Sequence, residues 1–88
     1  MMKAALIINF HSGMKNKKKD DLEEYLKILR KYDYEVDVYA TKYQHHAEDI
    51  VESLSDNIDL VLSVGGDGTF NEVVTGNLKR KKRLVLSH

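Results

Sequence analysis

The hydrophobic positions of this chain fall into short continuous runs that are separated by stretches with helical spacing. Residues 4–8 are wholly apolar, as expected for a strand that is covered on both faces of a sheet. Residues 58–64 and 84–86 are predominantly apolar and predict two further strands. In residues 34–40 apolar and polar side chains alternate, which predicts a half-exposed strand near a sheet edge.

Three helices are predicted between these strands, because apolar residues recur there at intervals of three and four. The first extends from about residue 20 to residue 32, after a polar loop at 13–19, with Asp21 and Glu24 in its first turn and Arg30 and Lys31 in its last. The second ends near residues 55–57, and the third covers residues 71–78. The apolar positions that define the first two helices are Leu22, Tyr25, Leu26 and Leu29, and then Ala47, Ile50, Val51 and Leu54.

Strict alternation of strands and helices predicts an α/β fold with three layers, α/β/α, around a mostly parallel sheet with right-handed crossovers. The 88 residues suit one small domain without internal repeats. Parallel sheets of this kind bind ligands at the carboxyl ends of their strands. The loops that follow residues 8, 40 and 64 are therefore predicted to meet at one ligand site.

The turn between the third strand and the third helix contains three glycines, Gly65, Gly66 and Gly68. Glycine has no Cβ atom that would keep a ligand away from the backbone. Such a turn directs free N–H groups and the positive end of a helix dipole toward the ligand, which predicts a phosphate cradle. Thr69 and Glu72 have the spacing of a capping box, with Thr69 as the helix cap.

Asp67 is unusual in a turn of this kind. A carboxylate beside a phosphate costs roughly 4 kcal/mol per charge pair at an effective dielectric constant of ~20. Three uses are open: Asp67 accepts backbone N–H bonds, accepts a sugar hydroxyl, or faces a divalent cation that the phosphates share. A plain Gly-Asp-Gly turn is the structural alternative. The turn matches neither the Rossmann fingerprint nor the P-loop.

Composition narrows the class of protein only slightly. The 14 basic and 14 acidic residues balance, so no global field draws nucleic acid to the chain. The absence of cysteine fits a reducing compartment, and no apolar run approaches the ~20 residues of a membrane span. A cytoplasmic location is therefore expected.

Three polar clusters have an unspecialised interpretation as well as a functional one. The basic run at 79–83 is expected to be a solvated loop, although it could attract anionic lipid head groups. Lysines at 15 and 17–19 follow the first loop and could either neutralise phosphates or remain solvated. His45 and His46 are interpreted as surface residues rather than metal ligands, because adjacent helical residues point about 100° apart.

Residues 65–76, Gly-Gly-Asp-Gly-Thr-Phe-Asn-Glu-Val-Val-Thr-Gly, resemble the nucleotide-binding signature of the diacylglycerol kinase catalytic domain. The bacterial soluble lipid kinases of that family are most similar, and sphingosine and ceramide kinases are more distant. Residues 9–13 resemble the family's Asn-Pro-x-Ser-Gly element, with Phe10 in place of proline. Thr41 stands where the family has a nucleotide-contacting threonine.

The resemblance implies a kinase that uses ATP and Mg²⁺ and transfers the γ-phosphoryl group to the hydroxyl of diacylglycerol or a related lipid. Asp67 would contact the metal indirectly. The residues that it implies for ATP binding are Asn9, Phe10, His11, Ser12, Gly13, Thr41, Gly65, Gly66, Asp67, Gly68, Thr69, Phe70, Asn71 and Glu72.

The resemblance also implies that residues 1–88 are a partial ATP-binding domain, truncated before a C-terminal β-rich domain that carries the catalytic base. We therefore expect no kinase activity from these residues alone. The lipid alcohol would be bound by the full-length protein, with peripheral contact at the inner face of the membrane. Open sheet edges could support a homodimer. The alternatives are an NAD kinase-like enzyme, which shares Gly-Gly-Asp-Gly, a non-catalytic nucleotide-binding module, and an interaction fragment.

Overall fold

The computed structural model describes residues 1–11 and 15–88, which form four strands and three helices in strict alternation. The strands are β1 (Met2–Ile8), β2 (Tyr34–Ala40), β3 (Leu60–Val64) and β4 (Leu86–Ser87). The helices are α1 (Lys15–Lys31), α2 (His46–Ser53) and α3 (Asp67–Leu78). None of the described helices is long and apolar enough to cross a membrane.

All neighbouring strands of the sheet are parallel, in the order β2-β1-β3-β4. Ile8 at the end of β1 pairs with Ala40 on one side and with Val64 on the other. The loops that follow β1, β2 and β3 therefore leave the sheet at the same level. Past these pairs, the N–H of Thr41 donates to the carbonyl of Ile8 (2.9 Å) and the N–H of Asn9 donates to the carbonyl of Val64 (3.2 Å).

Two hydrophobic cores lie on opposite faces of the sheet, and β1 contributes alternate residues to each. Ala5 and Ile7 face the core that contains the buried residues of α2 and Val73 of α3. Ala4, Leu6 and Ile8 face the other core, where α1 supplies Leu22, Leu26 and Leu29. The predicted three-layer α/β/α fold is confirmed, and the continuous apolar run of β1 is explained by its coverage on both faces.

The first helix begins at Lys15, so the predicted polar loop at 13–19 is wrong from residue 15 onward. Its extra turns carry lysines and no acidic residue, so the placement of Asp21 and Glu24 in the first turn is also wrong. Apolar spacing detects only the part of a helix that carries regularly spaced apolar residues, and residues 15–19 carry none. The basic last turn, with Arg30 and Lys31, is confirmed.

Strand β2 is an edge strand, as predicted, but its alternation is only partly correct. Tyr34 and Val36 pack against the core beneath α1. Val38, predicted to face the same core, is 43% exposed, and Tyr39 packs on the opposite face against the α2–α3 core. The far half of this edge strand is therefore only lightly covered on the α1 side.

Helices α2 and α3 pack in unusually close contact at Gly76. A Cβ atom at this position would lie 2.5 Å from the carbonyl oxygen of Glu48, so only glycine fits without a backbone shift. Lys79 continues the contact through a 2.6 Å ion pair with the Glu48 carboxylate. This hydrogen bond and the nearby negative charge raise the pKa of Lys79 above its ordinary value. The last residue of the family-like signature thus has a packing role.

Arg80 is a buried structural residue, which corrects the prediction that residues 79–83 form a solvated loop. Its side chain is 4% exposed, and its guanidinium donates to the carbonyls of Val51 (2.9 Å) and Leu54 (2.5 Å) at the end of α2. It also pairs with the Asp56 carboxylate at 2.7 Å. A cation at this end of a helix adds a donor to the carbonyls of the last turn and is favoured by the helix dipole.

Candidate functional site

A cleft of about 430 Å³ lies at the carboxyl edge of the sheet, where the loops after β1, β2 and β3 come together. This is the edge at which parallel α/β sheets bind ligands. The structure thus brings together the three loops that the sequence predicted to converge. The cleft is lined by Asn9, His11, Thr41, Lys42, Tyr43, Gln44, Gly66, Gly68, Thr69 and Glu72.

The glycine turn leads directly into α3, whose first residue is Asp67 and whose N-cap is Gly66. Thr69 lies inside the first turn rather than at the cap, so the predicted capping box is wrong. Glu72 accepts a hydrogen bond from the backbone N–H of His45 (3.1 Å) instead of reaching back to a cap. The spacing of a capping box was present, but the helix cap is Gly66, three residues before Thr69.

Packing constrains one of the three glycines of this turn and leaves the other two unconstrained. A Cβ at Gly65 would lie 3.0 Å from the Oγ1 of Thr69 and 3.7 Å from the Cβ of Asn9, so packing demands a small residue there. Ideal Cβ atoms at Gly66 and Gly68 would have no atom of the described residues within 4 Å. Packing within the described chain therefore does not require glycine at either position on the cleft wall.

The N-terminus of α3 presents unpaired backbone donors to this wall. The first N–H groups of a helix have no partner within the helix. Among the described residues, no side chain caps α3, because its N-cap is Gly66. The N–H groups of the first turn and the positive end of the helix dipole are therefore available to an anion in the cleft.

The loop after β1 is organised by Asn9. Its side-chain oxygen accepts a hydrogen bond from the N–H of His11 (2.8 Å), and its carbonyl accepts one from the Nζ of Lys18 (2.7 Å). Phe10 points away from the cleft and packs against the core beneath α1. The predicted contacts Ser12 and Gly13 lie outside the described residues.

The loop after β2 forms the opposite wall, and sequence reasoning identified only Thr41 in it. Thr41 is buried, and its hydroxyl lies 3.5 Å from the carbonyl of Ile8. Lys42, Tyr43 and Gln44 also line the cleft. Their position directly after the carboxyl end of a strand was the available signal for them.

Three predicted site residues on α3 lie outside the cleft lining. The Asp67 side chain is fully exposed, 3.8 Å from the Nε2 of His88, and receives no backbone N–H bond from a described residue. The ring of Phe70 stacks on that of His88, with ring centres 4.6 Å apart. Asn71 is exposed, and its carbonyl accepts a hydrogen bond from the Thr75 hydroxyl (2.9 Å).

The described residues contain no group of three or more histidines, acidic residues or cysteines that could hold a metal ion together. Mg²⁺ bound with a nucleotide commonly keeps several waters and uses one or two carboxylates beside the phosphates. The exposed carboxylate of Asp67, in the first turn of α3, fits that limited role better than it fits a complete metal site.

The sequence of this chain matches the family of the diacylglycerol kinase catalytic domain over residues 3–87. A diacylglycerol kinase of Staphylococcus aureus strain MRSA252 is 36% identical over 84 residues, which are 94% of this chain and 27% of that protein. Sphingosine kinase 1 of Arabidopsis thaliana is 34% identical over 80 residues, 90% of this chain and 16% of that protein. The chain thus spans about a quarter or less of the length of these relatives.

The fold is also similar to that of a solved diacylglycerol kinase structure. The crystal structure of a diacylglycerol kinase from Bacillus anthracis strain Sterne superposes with a TM-score of 0.79 at 24% identity. The superposition covers 96% of this chain and 30% of that one. The same α/β arrangement therefore forms part of that longer protein.

Proposed function

Because the chain belongs to the diacylglycerol kinase catalytic domain family, we propose that it is the ATP-binding part of a lipid kinase. The parent enzyme would transfer the γ-phosphoryl group of ATP to the hydroxyl of diacylglycerol or a related lipid. The observation that carries this proposal is the wall formed by Gly66 and Gly68. Both residues line the cleft at the start of a helix, and no described atom requires them to lack a side chain.

In this proposal the two walls of the cleft bind different parts of ATP. Backbone N–H groups at Gly66, Gly68 and Thr69 would hold phosphate oxygens, and the Thr69 hydroxyl would add a further donor. Asn9 and Thr41 lie on the other two loops of the cleft and would contact the remainder of the nucleotide. The buried position of Thr41 makes it a fixed rather than a mobile contact.

Mg²⁺ would neutralise phosphate charge when it is bound with ATP. Asp67 can approach it through water, because its carboxylate is exposed in the first turn of α3, beside the phosphate-binding N–H groups. This role also accounts for an acidic residue in a turn that otherwise favours anions. His88, 3.8 Å from Asp67, would add positive charge near the same carboxylate when protonated.

The proposed reaction forms a bond between the lipid hydroxyl oxygen and the γ-phosphorus and breaks the bond from that phosphorus to the β–γ bridging oxygen. ADP leaves with the bridging electrons, and a base accepts the hydroxyl proton. We propose that the base belongs to a part of the parent enzyme beyond these 88 residues, so that this chain alone binds ATP without turning it over. We also propose that the parent is cytoplasmic and contacts the inner membrane face peripherally, where a membrane lipid would be the acceptor.

Calorimetric titration with ATP and Mg²⁺ tests nucleotide binding. We expect saturable binding by the wild-type chain and an affinity about tenfold lower for Gly68→Ala, since a methyl group would hold a phosphate away from the charged hydrogen bonds of the turn. Thr75→Ala is the matched control, because Thr75 is an exposed residue of α3 outside the cleft.

Thermal unfolding separates binding from stability in the same variants. Gly68→Ala should be at least as stable as the wild type, because the added methyl meets no described atom and alanine favours helix. Absence of saturable binding by the wild-type chain, or equal affinity in Gly68→Ala, would contradict the proposal.

A further inference from the structure

Tyr43 is an exposed aromatic residue on the wall of the cleft that faces the glycine turn. It lines the cleft and is 58% exposed, and its chain neighbours Lys42 and Gln44 are exposed as well. The proposed phosphate-binding groups belong to α3, whereas Tyr43 belongs to the loop between β2 and α2. A nucleotide has a charged phosphate end and a flat aromatic base. The wall formed by α3 suits the phosphates, and the wall that contains Tyr43 suits the base.

The Tyr43 ring is held in a defined position despite its exposure. It stacks on the imidazole of His46 with ring centres 4.2 Å apart and an angle of 14° between the planes. Its hydroxyl lies 3.4 Å from the Oδ2 of Asp49, one turn into α2. A side chain fixed at one face and at its tip loses little further freedom when a ligand binds.

His46 is itself fixed by the loop that carries Tyr43. Its Nδ1 accepts a hydrogen bond from the backbone N–H of Lys42 (2.9 Å), which requires an unprotonated Nδ1. The loop after β2 and the first residue of α2 therefore form one unit with two parallel rings. The nearly parallel stack leaves the face of Tyr43 opposite His46 uncovered by that ring.

We propose that the free face of Tyr43 is the stacking platform for the nucleobase of the bound nucleoside triphosphate, with His46 as the positioning residue behind it. Aromatic rings bind flat bases by offset stacking, and a purine offers a larger stacking surface than a pyrimidine. Tyr43 thus sets a preference for purine nucleotides while α3 holds the phosphates. This inference rests on the proposed function and assigns the base-binding side of the same cleft.

Binding of Mg²⁺ with ATP, with UTP and with inorganic tripolyphosphate tests the platform, since tripolyphosphate has the charged end without a base. Tyr43→Leu should weaken ATP binding about tenfold, the usual effect of losing one base–aromatic stack, and leave tripolyphosphate binding unchanged. Tyr43→Phe keeps the ring and should bind ATP nearly as the wild type does. Tyr32→Leu is the matched control, because Tyr32 is an exposed tyrosine outside the cleft lining.

The wild-type chain should also prefer ATP to UTP, and Tyr43→Leu should reduce that preference. Equal ATP affinity in Tyr43→Leu and wild type overturns the platform, as does equal weakening of ATP and tripolyphosphate, which indicates a collapsed loop. A wild-type chain that binds ATP no better than tripolyphosphate overturns the platform and retains the phosphate site. A chain that binds neither overturns the proposed function, and the platform with it.

Discussion

The carboxylate of Glu72 accepts a hydrogen bond from the backbone N–H of His45 at 3.1 Å, and this contact joins the two walls of the cleft. Glu72 lies on α3, beyond the glycine turn, and His45 ends the loop that contains Tyr43. His45 has a left-handed backbone, with φ of 69°. The bond therefore secures the loop at the residue where its direction changes into α2.

Removal of this bond should loosen the loop and weaken nucleotide binding. We expect Glu72→Ala to lower ATP affinity several-fold and stability by about 1 kcal/mol, the usual net value of a single hydrogen bond. Glu72→Gln keeps an oxygen acceptor and should retain most of both. Calorimetry and amide exchange at residues 42–46 measure the two effects. Glu52→Ala, at an exposed position of α2, is the control, and unchanged exchange in Glu72→Ala would refute the role.

Gly65→Ala should disturb the cleft indirectly, by displacing the side chain of Thr69. The added Cβ would lie 3.0 Å from the Oγ1 of Thr69, a cleft residue, so the Thr69 side chain has to move. We expect a loss of about 1 kcal/mol in stability, at the low end for overpacking, and weaker ATP binding. Thermal unfolding should show no such loss for Gly66→Ala, where the methyl meets no described atom. Equal stability of the two variants would count against this difference between the glycines.

Gly76→Ala should destabilise the fold without altering a cleft residue. Its Cβ would lie 2.5 Å from the backbone oxygen of Glu48, and neither backbone can yield easily. Overpacking of this kind costs about 2 kcal/mol, more than the helix propensity gained from alanine. Chemical denaturation measures the loss. Gly68→Ala provides the comparison, because both glycines belong to α3; a Gly76→Ala variant as stable as Gly68→Ala would show that the helices can separate freely.

Arg80→Met should be the most destabilising change in the basic run at 79–83. It removes the guanidinium donor from the Leu54 carbonyl and the Asp56 carboxylate, and it leaves the Val51 carbonyl with only the N–H of Leu54. Loss of a charged donor costs about 2 kcal/mol, and here the bond to the Val51 carbonyl is buried while Asp56 is largely exposed. Lys81→Met, at an exposed position of the same run, should be nearly neutral in denaturant unfolding. Similar stabilities for both variants would mean that the run is solvated after all.

Much of the fold and the location of the site could be predicted from hydrophobic patterning. The apolar run of β1, the edge character of β2 and the convergence of three loops follow from periodicity and from the rules of parallel sheets. The start of α1 could not, because residues 15–19 are all polar. Hydrophobic periodicity cannot detect a helical segment that contains no apolar residues.

Details that depend on contacts between residues far apart in the chain could not be predicted from the sequence. Arg80 is indistinguishable from its basic neighbours until α2 packs beside it. The spacing of Thr69 and Glu72 predicts a capping box, yet Glu72 instead bonds to His45, which lies 27 residues away in sequence. The Tyr43–His46 stack likewise forms only once the chain turns into α2.

Lys79 pairs with Glu48 and Arg80 pairs with Asp56, and both pairs change how residues 79–83 interact with charged surfaces. Two of these five consecutive cations already face carboxylates of the same molecule. Each basic residue near an anionic membrane surface contributes about 1 kcal/mol of attraction. Because two of the five are already paired, residues 79–83 should attract anionic vesicles less strongly than five unpaired cations would. Long-range adhesion to a bilayer by this segment should accordingly be weak and should fade quickly as salt is added.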